Sequence, residues 1–230
     1  QIICLGDSIT DCNHLFEDFP LGNGYVQILS EMFRNQPPSF SISADTVRRS
    51  SSAVQLTDRS TGAIHFRNCG IDGFTGQGLE NIRQHRIFLH SSPVITLLIG
   101  INDIGLIMNT DRTDSQKEQM MREFATHYNE LLNLLTADAR QVILMEPFIF
   151  PHPEEYETWI PYVHTMSDII RQLSVRFRLP FLPLHNYFNK EATQSGFDAI
   201  TTDGIHLTLY GHKLLAEKLF PLLQSIDNNP

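Results

Sequence analysis

The chain reads as an α/β protein, a three-layer α/β/α sandwich on a five-stranded parallel sheet. Three observations predict this. Short apolar runs alternate with amphipathic stretches from one end of the sequence to the other, the signature of βαβ units. At 230 residues, 41% of them hydrophobic, the chain is long enough to bury one core, and a single domain over 1–230 is expected. No internal repeat is apparent, and right-handed crossovers between parallel strands place helices on both faces of the sheet.

The first strand is expected at Ile2–Leu5. Tyr25, Ile28, Leu29, Met32 and Phe33 then recur on one face of a helix. The segment Gln36–Gly62 is polar, rich in Ser and Arg, and long for a connection inside a compact domain, so no element is assigned to it. Strands follow at Ile64–Cys69 and Val94–Ile99. Met120, Met121, Phe124, Tyr128, Leu131, Leu132 and Leu135 stripe a helix over Ser115–Ala137. A fourth strand at Val142–Glu146 leads to a helix over Thr158–Arg178. A weaker fifth strand at Pro180–Leu184 precedes a last helix marked by Leu214, Leu215, Leu219 and Leu222. These stripes read as core faces.

The charge balance is 17 − 26 = −9, which argues against nucleic acid or an anionic membrane as the main partner. No apolar run reaches the ~18 residues that span a bilayer, so no stable membrane association is expected. Cys4, Cys12 and Cys69 form no C-x-x-C pair and read as buried thiols in a reducing compartment. No signal peptide is visible from Gln1, though the initiator Met is absent; a cytoplasmic location is the default, with upstream removal left open. Oligomeric state is not legible.

In such sheets ligands sit beyond the carboxyl ends of the strands, so the chemistry is sought there. After the first strand comes Gly6-Asp7-Ser8-Ile9, where Ser8 reads as a nucleophile on a tight turn or, more blandly, as part of an N-cap. After the second comes Asn68-Cys69-Gly70-Ile71-Asp72-Gly73. Its glycines suit an oxyanion donor or a plain turn, whereas both G-x-G-x-x-G and the Walker pattern fail in the residues that follow. After the third comes Gly100-Ile101-Asn102-Asp103, where Asn102 could donate to an oxyanion or close an Asx turn. Near the C-terminus, Asp203-Gly204-Ile205-His206 spaces a carboxylate and an imidazole so that Asp203 orients His206.

Each fragment is weak; the four in this order are specific. Together they resemble the GDSL esterases, or SGNH hydrolases, a family named for Ser, Gly, Asn and His in successive blocks. Ser8 stands in the first block, with Ile9 where the family name has Leu. Gly73 fits the second, chosen over Gly70 for its distance from Asn68, Asn102 fits the third, and Asp203-x-x-His206 the last. The resemblance runs from Asp7 to Gly211. It implies a flavodoxin-like sandwich with a shallow, open site and no cofactor. It implies esterase chemistry on a small-molecule ester: Ser8 as nucleophile, His206 as base and Asp203 as its orienting acid. Ser8, Gly73 and Asn102 would form the oxyanion hole. No metal ligand is expected, since H-E-x-x-H is absent, and G-x-S-x-G is absent too. Asp7 and Asp103 are read as structural hydrogen-bonding groups.

A non-catalytic binding module on the same fold is the main rival and would more naturally have lost one reactive residue. A lysophospholipase or thioesterase is the rival within the family. The segments Ile104–Asp114 and Pro147–Pro161 should line the crevice, with Ile104, Phe148, Tyr156 and Trp159 touching substrate. Short acyl groups, above all acetyl esters on a carbohydrate, are the expected substrates.

Overall fold

Five strands run parallel in the order β2-β1-β3-β4-β5 in the computed structural model, which describes residues 1–15, 19–36, 64–76, 94–139 and 141–227. They are β1 (Ile2–Gly6), β2 (Phe66–Gly70), β3 (Val94–Leu98), β4 (Gln141–Met145) and β5 (Phe181–Leu182). Ile2 sits level with Phe66 on one side and Val94 on the other. All five residues of β1 and of β3 are buried, as happens only when both faces of a sheet are covered. The segment Gln36–Gly62 lies, beyond Gln36, outside the described residues.

The covering helices are α1 (Ser8–Asp11), α2 (Tyr25–Arg34), α3 (Ile101–Met108), α4 (Asp114–Asp138), α5 (Ile160–Phe177), α6 (His185–Ser195), α7 (Phe197–Ile200) and α8 (Leu209–Asp227). One layer pairs α2 with α8, and Phe33 touches both Phe66 of β2 and Phe220 of α8. The other joins α3, α4 and α5. Between them the apolar residues of β1, β3 and β4 make one continuous core. Ile95, Leu97, Ile143 and Leu144 are fully buried there. Truncating any of these to Ala should destabilise by about 2–5 kcal/mol.

The expected elements are present, and several boundaries move for physical reasons. β5 is confined to Phe181–Leu182 because Pro180 and Pro183 flank it and cannot donate to the ladder. The helix expected from Thr158 begins instead at Ile160, with Pro161 in its first turn and a 3-10 segment, Glu154–Trp159, leading in. Four helices were not anticipated: α1, α3, α6 and α7. The helix α6 buries only His185, Phe188 and Ala192, too sparse a stripe to stand out in sequence.

The strand order has a direct consequence for the site. The chain moves outward from β1 to β2, then returns past β1 to form β3. The crevice at this reversal lies beyond the ends of β1 and β3. Ser8 follows β1 and Asn102 follows β3, so the topology delivers both to the same place.

Candidate active site

β1 ends at Gly6 and the chain turns at once into α1. Asp7 caps that helix: its Oδ1 accepts from the Ile9 amide at 3.0 Å, and its own carbonyl accepts from Thr10 and Asp11. The bland reading of this block thus holds for Asp7, while Ser8 becomes the first helical residue with its hydroxyl free of the cap. Asn68, at the end of β2, pins the far end of α1. Its Nδ2 donates toward the carbonyls of Thr10, Asp11 and Leu21, and its Oδ1 accepts from the Gly70 amide. In the sequence Asn68 served only as a spacing mark for Gly73; its anchoring role is not legible there, because its acceptors lie 47 to 58 residues away.

The loop carrying Asp203 and His206 is closed by an isolated bridge between Thr201 and Leu207. Thr201 Oγ1 donates to the His206 carbonyl at 2.7 Å and accepts from the Gly204 amide at 2.8 Å. Gly204 must be glycine. Its φ is +90°, and a Cβ there would lie 2.2 Å from the His152 carbonyl oxygen and 2.7 Å from the Tyr156 ring. The Phe150 amide donates to the Gly204 carbonyl, so the segment after β4 clamps this loop.

Inside the loop, Asp203 Oδ1 accepts from the amides of Ile205 and His206. Its Oδ2 lies 2.6 Å from His206 Nδ1, and His206 Nε2 lies 2.8 Å from Ser8 Oγ. A carboxylate can only accept, so the Nδ1 proton points at Asp203 and leaves Nε2 to accept from the Ser8 hydroxyl. Burial alone would raise the Asp203 carboxyl. The hydrogen bonds from the His206 ring and from the two amides outweigh it and hold the group below its usual value. It therefore stays ionised beside the imidazole.

The second and third blocks meet each other beyond the ends of β2 and β3. Ile71 to Phe74 form a tight turn in which the Phe74 amide donates to the Ile71 carbonyl, and Gly73 supplies the φ of +71° that the third position of a type II turn requires. Gly73 is exposed. Gly70, the competing glycine, is part of β2 and its N–H is taken by Asn68. Asn102 lies in the first turn of α3, not in an Asx turn, and its Nδ2 donates to the Phe74 carbonyl at 3.1 Å. Asp103 holds the same loop two residues further on. Both its oxygens accept from the Gly76 amide, and burial, partly offset by that hydrogen bond, pushes its carboxyl up to about 6.

Three expected substrate contacts are corrected. Ile104 is completely buried and Phe148 is 1% exposed; Phe148 packs against Phe188 at 4.6 Å in the core. Ile104 points inward because its segment is helical, which turns that face of α3 onto the sheet. Trp159, 7% exposed, is turned in by the 3-10 segment and lies between Tyr156 and Gly105. Of the aromatic set only Tyr156 remains partly exposed, beside Gly204 and the charge of Asp203. Among the described residues no group of three His, Cys, Asp or Glu is placed to hold a metal ion, and no helix is long and apolar enough to cross a membrane.

The Ser8–His206–Asp203 chain can take a proton from a serine hydroxyl and return it. Similarity to known proteins agrees with that chemistry. The family model for the GDSL-like lipase/acylhydrolases matches residues 4–214. Among solved structures, the acetylxylan esterase Axe2 of Geobacillus stearothermophilus superposes with a TM-score of 0.73 at 22% identity, over 98% of this chain and 93% of that one. Structures of its catalytic variants have a serine, an aspartate or a histidine replaced by alanine. LAE5, an α/β hydrolase from the metagenome of Lake Arreo in Spain, superposes with a TM-score of 0.71 at 20% identity, over 99% and 94%. No curated protein sequence matches the chain. On the match over residues 4–214, the chain belongs to the GDSL-like lipase/acylhydrolase family and is a carboxylic ester hydrolase.

Proposed function

We propose that Ser8, His206 and Asp203 act as nucleophile, general base and orienting acid in the hydrolysis of short-chain esters, with acetyl groups on carbohydrates as the substrate class. The observation that carries this reading is the hydrogen-bonded chain Ser8 Oγ–His206 Nε2–Asp203, at 2.8 and 2.6 Å. His206 takes the Ser8 proton as Oγ attacks the ester carbonyl carbon. The amides of Ser8 and Gly73 and the carboxamide of Asn102 hold the oxyanion. His206 then protonates the departing alcohol, and water repeats the sequence on the acyl-enzyme. The whole chain, 1–230, works as one hydrolase domain.

The aspartate and histidine replaced in the Axe2 variants are three residues apart, as Asp203 and His206 are, which supports the assignment. The form of the crevice supports the short-acyl reading. Ser8 is partly exposed and His206 exposed, so an acyl chain there meets solvent. Among the described residues, a cavity between α3 and α4 beside Asp103 measures about 30 Å³, room for one or two waters but not for a fatty acyl tail.

A serine-directed aryl phosphonate tests the triad: Oγ forms the bond to phosphorus, the aryloxide leaves, and the serine proton passes through His206 to solvent. The label should map to Ser8. Ser8→Ala and His206→Ala should remain folded, with ester turnover lower by about three orders of magnitude or more. A folded Ser8→Ala enzyme of near-normal activity would sink the mechanism.

A further inference from the structure

Asp7 is 1% exposed, and only one of its oxygens is used. Oδ1 accepts from the Ile9 amide; Oδ2 has no hydrogen-bond partner among the described residues. Capping alone does not account for a carboxylate here. Asn or Ser would cap α1 about as well, without burying an ionisable group half-satisfied. A native protein that retains so unfavourable a group beside its nucleophile retains it for its charge.

Several ionisable groups face it. His206 approaches from the loop before α8, with its ring on the adjacent Ser8 hydroxyl. Asp103 faces it from α3, Cys12 from the end of α1, and Tyr25 from α2. Of these only His206 becomes positive during turnover. Tyr25 and Cys12 stay neutral because burial raises both, and Asp103 is a like charge held away by its bond to Gly76.

Resting on the triad assigned above, we propose that Asp7 is a positioning residue of the reaction: a second carboxylate, beneath Ser8, that stabilises the His206 imidazolium formed as Ser8 attacks. Asp203 holds that imidazolium from Nδ1, and Asp7 acts on it across Ser8 without touching it. Burial, only partly offset by the Ile9 amide, pushes the Asp7 carboxyl up to about 7, so its charge is developed above that pH. The arrangement exchanges stability for rate, since the ionised form is the one that the fold disfavours.

The test is Asp7→Asn, which keeps the Oδ1 acceptor for Ile9 and removes the charge. Phosphonylation of Ser8 by an aryl phosphonate is followed against pH, a reaction that uses the same base and needs no knowledge of the natural ester. The plateau rate should fall about tenfold, as expected for loss of one charge acting through a partly screened site. The acid limb should move to lower pH by roughly half a unit or more, because the imidazolium loses a stabilising partner. The melting temperature near pH 8 should rise, because a buried charge has been removed. Asp7→Ser, also a capping residue, should behave the same way and carries the test if the Asn variant does not fold. An unchanged rate and limb overturns the inference. A slower variant with an unmoved limb, or one that melts lower, reduces Asp7 to a helix cap and overturns it as well. If the wild-type enzyme is not labelled at Ser8, the triad itself fails; if it is labelled and Asp7→Asn behaves identically, only the role of Asp7 fails.

Discussion

Asn102 and Asp103 are adjacent in sequence and use their side chains differently. The Asn102 amide nitrogen carries two hydrogens, and Phe74 O takes one, which leaves the other for an oxyanion. Asp103 gives both oxygens to Gly76 and holds the turn after β2 against α3. Asn102→Ala should therefore lower kcat on the order of 100-fold or more, with little change in melting temperature. Asp103→Ala should leave kcat within a few-fold and lower stability by about 1–3 kcal/mol, because the Gly76 N–H loses its acceptor. Kinetics and melting on both variants decide it, and the reverse pattern would exchange the two roles. At this scale each block read alone was ambiguous, and only the order of the four blocks, with the family resemblance it carries, singled out Ser8, Asn102, Asp203 and His206 as candidates. The sequence could not separate Gly70 from Gly73 by chemistry, since both are glycines at the end of the second block; the use of the Gly70 N–H by Asn68 favours Gly73.

The short helix α1 gains its rigidity from other elements, and α8 contributes through His212. The Tyr25 amide, an unpaired donor at the start of α2, points at His212 Nδ1 at 3.3 Å. That nitrogen must accept, so the ring proton sits on Nε2, directed at Cys12 Sγ 3.2 Å away at the end of α1. A proton added to Nδ1 would meet the Tyr25 N–H head on. Burial first, and the charge of His206 second, lower His212 to about 4. Between this value and the ordinary ~6.5, the unfolded chain binds a proton that the folded protein does not. Stability therefore rises with pH through that window and is lost as the pH falls from ~6.5 to 4, by up to about 3 kcal/mol. Asp7 and Asp103 act in the opposite sense, since their folded values lie above the unfolded one and their contribution fades as pH rises. His212→Asn keeps an acceptor for Tyr25. Urea melts should show its loss of stability between about pH 7 and 5 smaller than wild type by roughly 2 kcal/mol. An equal loss in both proteins would mean His212 is not the proton-sensitive element.

For the whole molecule, the test is chain length. If an acyl tail were buried, each methylene would add about 0.8 kcal/mol and kcat/KM would climb steeply from acetate to octanoate esters. The open crevice predicts a flat or falling series beyond butyrate instead. A steep rise, or good turnover of a lysophospholipid, would overturn the short-acyl reading. By itself the sequence determined the sandwich, the five strands and the order of the four reactive blocks, because hydrophobic period and residue type at strand ends are local properties. The tertiary structure alone decided three further matters. It brought Ser8 against His206 across 198 residues, through a strand order that no local pattern encodes. It turned Ile104, Phe148 and Trp159 inward, since an aromatic or aliphatic side chain after a strand is equally suited to a crevice and a core until its neighbours are known. And it buried Asp7 with one oxygen unpaired, giving an ordinary helix cap a charge that can act on His206, because burial, not residue type, sets what a carboxylate does.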